Sequence, residues 1–182
     1  LAYYNYHASK NEIETLLKEY INGKNASHVQ RVLAAKTLKN AIRSQHKIPF
    51  EILSAIIGME LGDGRARNMR IMIRARAVEL LGNLKTERAD KQLAALVKHP
   101  ESSIRWPVLH IMRKRKIAGS QPGLRAVMAG LPSKYEPHSE RYLAARALVV
   151  QKGVDAVGDI LDVLKGDPVS DVKLFFYVLA EN

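Results

Sequence analysis

Residues 73–81 read IRARAVELL, and the chain returns to the same order of residue types four more times. The copies are QRVLAAKTL at 30–38, IRWPVLHIM at 104–112, ERYLAARAL at 140–148 and, less faithfully, VKLFFYVLA at 172–180. Each places a cation second and two small or apolar residues at its fifth and sixth places. The cation column is Arg31, Arg74, Arg105, Arg141 and Lys173, at successive offsets of 43, 31, 36 and 32 residues. That is the period of helical hairpins stacked as a solenoid, each burying its apolar face on its neighbour.

Shorter amphipathic runs separate the copies: PFEILSAIIGMEL, TERADKQLAALVKH, SQPGLRAVMAGL and GVDAVGDILDVLKG. Each repeats apolar residues at i, i+3, i+4 and i+7, the spacing of a helix with one buried face. Turn signals divide them at His99-Pro100, Gly119 to Gly123, Pro132 to Pro137 and Gly166-Asp167-Pro168. NEIETLLKEYING supplies a leading helix closed by Gly23. No stretch alternates with period two long enough to suggest a sheet. The expectation is one all-α domain over 1–182, a solenoid of about four to five helical hairpins.

This pattern resembles HEAT repeats, above all the short HEAT-like kind of phycobilisome lyases. The best matches are IRARAVELLGNLKTERADKQLAALVKHPESSIR and RYLAARALVVQKGVDAVGDILDVLKGDPVSDVK, and the likeness runs over about residues 26–182. Gly82 keeps the family's glycine, whereas Arg113 and Val149 stand where that glycine falls in later copies. The resemblance implies a right-handed α–α superhelix whose second helices line a concave surface. It also implies that the second-place cations form a ladder to acidic or carbonyl groups of the adjoining hairpin, and so are structural.

Composition sets the outer limits. Hydrophobic residues make up 47% of 182, enough for a continuous core, and no apolar run is long enough for a membrane span. The start, LAYYNYHASK, lacks the order of a signal peptide and begins without Met, which reads as a processed or excised piece. The sequence has no Cys, which removes thiolate chemistry and disulfides and points to a reducing, cytoplasmic setting. The net charge of +11 is concentrated: residues 63–116 carry 14 Lys/Arg against 5 Asp/Glu, a balance of +9. The flanking blocks 1–62 and 117–182 balance at +3 and −1. A localised positive field predicts an acidic partner, either protein or nucleic acid.

Advancing about 100° per residue from the start of each copy puts places 0, 4, 7, 8 and 11 on one apolar arc. Places 2, 6, 9 and 13 fall opposite, on the arc that the resemblance assigns to the concave surface. That arc holds Val32, Lys36, Lys39 and Arg43, then Ala75, Glu79, Gly82 and Thr86. It continues with Trp106, His110, Arg113 and Ile117, then Tyr142, Arg146 and Val149. Aromatics interleaved with cations can stack bases and neutralise phosphates, or anchor a protein partner as interface hot spots. The plainer reading of Trp106 and Tyr142 is sideways packing on the next repeat, and that of His110 a surface or hydrogen-bonded imidazole.

The longest offset contains GDGRARNMRIMIRAR, 62–76. Arg67, Arg70 and Arg74 share one helix face there, and forked guanidiniums grip phosphates or carboxylates. The alternative is a solvated helix extension, with Met69 and Met72 as core filler. Pro107 is expected near its helix start, where a missing N–H costs little.

No nucleophile elbow, phosphate-cradling glycine loop or His-x-x-x-His spacing occurs, so no catalytic residue, cofactor or metal site is assigned. One enzymatic resemblance remains, to HEAT-like alkylpurine DNA glycosylases, with Glu79 and Glu140 as the nearest acidic candidates. The leading expectation is a non-catalytic scaffold that binds an acidic or extended partner. The runner-up is nucleic-acid binding, and a lyase-like or maturation role is a distant third. The last copy stops at LAEN without a capping helix, which predicts an apolar edge covered by further chain or by a second copy.

Overall fold

The computed structural model describes residues 10–22, 27–43, 47–60, 65–130 and 137–165. Among them all regular structure is helical, as the repeat pattern requires. The chain divides into two compact units, Leu1–Asn83 and Leu84–Asn182. The fifth copy at 172–180, Lys173 and the LAEN edge lie outside the described residues.

The first unit holds α1 (Lys10–Asn22), α2 (His28–Arg43), α3 (Phe50–Gly58) and α4 (Arg65–Leu84). α1 packs on α2 and α3 over a core that includes Leu17, Leu38, Leu53, Ile56 and Ile73. A reciprocal capping box starts α2: the Ser27 N–H donates to Gln30 Oε1 at 2.7 Å, and the Gln30 N–H to Ser27 Oγ at 3.2 Å. Gln30 therefore occupies an apolar-arc place while exposed, because its amide serves the helix start. Met72, expected in the core, is exposed.

The second unit holds α5 (Glu87–Leu96), α6 (Ser102–Met112), α7 (Gln121–Met128), α8 (Pro137–Lys152), a 3-10 turn (Gly153–Asp155) and α9 (Ala156–Leu164). α8 is central, packing on α6, α7 and α9. α7 comes so close to the end of α5 that a Cβ on Gly123 would sit 2.8 Å from Val97 Cγ1. Only glycine fits there without displacing the valine.

Three of the second-place cations, Arg74, Arg105 and Arg141, tie their helix to the segment before it. Arg74, only 4% exposed, donates from Nε to the Ile57 carbonyl at 2.8 Å, at the end of α3. Arg141 repeats this on the last residue of α7, Nε to the Met128 carbonyl at 2.6 Å. Terminal helix carbonyls have no intrahelical partner, so a guanidinium delivered to them satisfies groups that burial would otherwise orphan. Arg105 donates from Nη1 to the carbonyls of His99 at 2.7 Å and Pro100 at 2.8 Å, in the loop before its own helix. It also crosses to α8, where Nη2 and Nε meet Glu140 Oε2 at 2.7 and 3.1 Å. The Ser102 hydroxyl donates to the other Glu140 oxygen, so the buried carboxylate is bonded on both sides.

Burial follows the repeat register closely. Ala34, Leu38 and Ala41, Ile73, Ala77, Leu80 and Leu81, Ile104, Val108 and Met112, and Ala144, Ala147 and Leu148 are all buried. So is the sixth place of each described copy, Ala35, Val78, Leu109 and Ala145, which widens the buried arc beyond a single face. Two expectations fail where a helix ends sooner than a straight projection assumes. α6 stops at Met112 and the chain turns, so Ile117 is 1% exposed and belongs to the core. α4 stops at Leu84, and Thr86 instead caps α5, accepting from the Ala89 N–H at 3.3 Å. Pro107 also differs: it lies inside α6 with its ring buried, so the Ser103 carbonyl receives no bond from it.

This packing makes two predictions about stability. Arg105→Met strands the Glu140 carboxylate in the interior and should cost about 3–5 kcal/mol in urea denaturation. Pairing it with Glu140→Leu should recover most of that loss, because the burial cost sits on the remaining charge. Asp159 on α9 accepts from Arg125 of α7 and, at 2.8 Å, from Lys152 of α8. The Arg125 bond, helped by Lys152 and opposed by burial, holds its carboxyl below the usual range. A carboxylate of lowered pKa stabilises the fold above its unfolded value of about 3.9 and stops doing so as pH falls through its folded value. Asp159→Asn should therefore be less stable than the parent at neutral pH, with the gap closing below about pH 4 in thermal melts.

Candidate functional site

α6 is buried on most of its circumference: seven of its eleven residues are in the core. Trp106 is the exception, 41% exposed on the strip that its neighbours leave open. Its ring lies 5.2 Å from that of His110, one turn on, at an interplanar angle of 59°. Of the two readings of this indole, the open arc and sideways packing on the next repeat, its exposure agrees with the first. Arg113, half-buried, caps the helix through its backbone N–H on the Leu109 carbonyl at 3.0 Å. Neither the Trp106 indole N–H nor the Arg113 guanidinium has a hydrogen-bond partner among the described residues.

His110 is held below its ordinary pKa, first by burial and then by the positive charges of Arg113 and Lys114. Its imidazole is neutral at physiological pH and extends the indole as an aromatic surface. The cationic end of the strip comes from Arg113 and the exposed Lys114 and Lys116.

The run Arg113 to Lys116 is not one uniform basic patch. Arg115 turns back to α5 in a two-pronged pair with Asp90, Nη1 to Oδ2 at 3.2 Å and Nη2 to Oδ1. Gln151 of α8 fixes the same turn, an arrangement that no sequence signal announced. It accepts the Ile117 N–H at 2.6 Å and donates to the carbonyls of Met112 and Arg115, each at 3.0 Å.

Tyr142 and Arg146 lie on α8 in the same unit and meet each other. The guanidinium carbon stands 5.8 Å from the ring centroid, and Nη1 reaches the Tyr142 hydroxyl at 3.5 Å. Glu140, one of the two acidic candidates for a glycosylase-like role, is 2% exposed and held by Arg105 and Ser102. It cannot meet a substrate, which removes that candidate.

The remaining predicted cations are in the first unit. Lys36, Lys39 and Arg43 follow one another on α2, all exposed. On α4 the predicted arginine face turns inward along its length: Arg67 is exposed, Arg70 half-buried and Arg74 buried. The sequence did not reveal a shallow groove of about 400 Å³ between α1 and α2, lined by Leu16, Glu19, Gln30 and Leu33 among others. Among the described residues no group of three or more His, Asp or Glu is placed to hold a metal ion. No described helix is long and apolar enough to cross a membrane.

Comparison with protein-family models, curated proteins and solved structures finds no match to this chain.

The burial of His110 generates a pH prediction. A histidine of lowered pKa is uncharged in the fold while its unfolded counterpart takes up a proton near pH 6.5, so stability falls as pH drops below that value. His110→Gln should flatten the pH dependence of the melting temperature between about pH 6.5 and 5 relative to the parent. An unchanged slope would show that His110 titrates normally.

Proposed function

We propose that the protein is a non-catalytic helical-repeat module that binds an acidic, extended partner along the open strip of α6. The observation that carries this reading is Trp106, an exposed indole with an unclaimed N–H on a helix otherwise committed to the core. Leaving such a ring in water forgoes burial of one of the largest apolar side chains, and Trp and Arg are the residues that most often dominate interfaces. His110 lengthens the apolar platform, and Arg113, Lys114 and Lys116 supply charge at its end.

The repeat architecture belongs to the same proposal. In our reading the hairpins stack as a right-handed HEAT-like superhelix with α2, α4, α6 and α8 towards its concave side. Recurrence of one cap in both units, Arg74 on Ile57 and Arg141 on Met128, supports it, because a stacked repeat reuses its joints. The cysteine-free sequence fits a reducing, cytoplasmic setting. A row of exposed apolar residues, Val154, Val157 and Leu161, near the C-terminal end of the described chain favours self-association there.

Fluorescence-anisotropy titrations with a labelled Glu-rich peptide, a single-stranded oligonucleotide and a short duplex decide among partners. The peptide should bind, with Trp106→Ala weakening it by at least about 30-fold, the scale of a hot spot near 2 kcal/mol. Lys114→Ala should cost far less, as an exposed rim charge. Binding of the nucleic acids alone, with a steep salt dependence and loss in Arg113→Glu, would transfer the strip to the nucleic-acid reading. No binding of any probe at low salt rejects both.

A further inference from the structure

The open strip of α6 constrains the backbone of its partner as well as its charge. Ser103, Trp106, His110 and Arg113 follow at i, i+3, i+7 and i+10, one row along the helix and its C-cap. Beside this row Ser102, Arg105, Pro107 and Leu109 are buried. On α6 a ligand therefore meets a single file of side chains and not a broad face. Trp106 and Arg113 share one side of the helix, and its rise sets them about 10.5 Å apart along the axis.

Three regular backbones can lie along such a file. A β-strand turns alternate side chains to one side, so its same-side residues recur at about 6.7 and 13.4 Å, on either side of that span. It also leaves backbone groups to be paired by a strand edge, which α6 does not offer. A helix matches the span at i and i+7, but its carbonyls are bonded internally and its contact face is several side chains wide. A polyproline-II segment has three residues per turn, so its side chains at i and i+3 lie on one side about 9.3 Å apart. Its carbonyls carry no internal bonds, and the Trp106 indole N–H, without a partner among the described residues, is a donor for one of them. The rings of Trp106 and His110, 5.2 Å apart and tilted by 59°, present two aromatic faces of the kind that receive proline. The long side chain of Arg113 takes up the remaining difference of about 1 Å in span. Resting on the reading of this strip as the binding face, we propose that its partner is an acidic polyproline-II segment. It sets a proline on Trp106 and His110, and a carboxylate three residues away on the forked guanidinium of Arg113.

Labelled peptides of equal charge test this by fluorescence anisotropy on the whole chain at low salt. One holds a single proline and a single glutamate at i and i+3 in a glutamine frame. A second, of the same composition, sets them at i and i+2, and both are made in either chain order. The third is an alanine-rich helix former with a leucine and a glutamate at i and i+7. The i+3 peptide, in one of its orders, should bind at least about tenfold more tightly than both i+2 peptides and the helix, the scale of one hydrogen bond to a charged group. Arg113→Gln should erase the preference for i+3, whereas Trp106→Ala should weaken both spacings. Equal affinity for the two spacings, tighter binding of the helix, or a preference that survives Arg113→Gln overturns this inference and leaves the strip as the binding face. So does binding of the Glu-rich peptide alone. Failure of every peptide, the Glu-rich one included, overturns both readings. Should Trp106→Ala fail to fold, Arg113→Gln makes the same discrimination, because α6 is capped by the backbone N–H of that residue and not by its guanidinium.

Discussion

Arginine side chains carried to carbonyl groups at the ends of neighbouring segments are the constraint on which this architecture depends. A helix that ends inside a packed protein has several carbonyls with no partner, and water cannot reach them. Arg74 and Arg141 solve the problem in the same way, with Nε on the last turn or last residue of the preceding helix. Arg105 uses its fork more fully, serving the loop before α6 and the carboxylate of Glu140 together. The planar guanidinium can do this because its five donors diverge; a lysine could satisfy one direction and leave the others dry. Glu140 in turn is tolerated in the core because Arg105 and Ser102 occupy both of its oxygens.

Anchoring by arginine in this way holds one flank of α4, α6 and α8. The small pair at the fifth and sixth places of the repeat, Ala34-Ala35, Ala77-Val78 and Ala144-Ala145, allows neighbouring elements to approach closely. With those places buried beside the apolar arc, the remaining strip is narrow. On α6 a single large side chain, Trp106, fills it. The position of the indole is thus set by the repeat, while its identity as an aromatic is what that copy adds.

The repeat register was legible because it depends only on helical periodicity and side-chain type. The buried arc follows from counting residues along ideal helices, and the same count put Trp106 on the open arc; the role of the second-place cations was implied by the HEAT-like resemblance. What could not be counted was where each helix stops. Ile117 and Thr86 were projected onto an open face, but α6 and α4 end before reaching them, and both residues serve the following segment instead. Pairings between segments were equally hidden. Nothing local to Arg115 announces Asp90, 25 residues earlier, and nothing local to Gln151 announces the end of α6. Arg70 and Arg67 differ for the same reason, since one helix turn separates a guanidinium held at Glu60 from one in solvent.

These pairings change what the large positive charge means. The block 63–116 carries a balance of +9, yet several of its cations are internal fittings: Arg74 on a carbonyl, Arg76 on the Ala35 carbonyl, Arg105 on Glu140, Arg115 on Asp90. The exposed remainder acts through solvent, where fields decay over about 10 Å at 0.1 M salt. Under the proposed function, exposed cations on α2 and at the end of α6 would serve mainly to attract and orient a partner, with little lasting affinity of their own. Affinity at cellular ionic strength has to come from groups that shed water on binding. Under the proposed function, Trp106 with the neutral ring of His110 is such a surface. The net charge of the sequence thus counts several cations that the fold has already committed to internal partners.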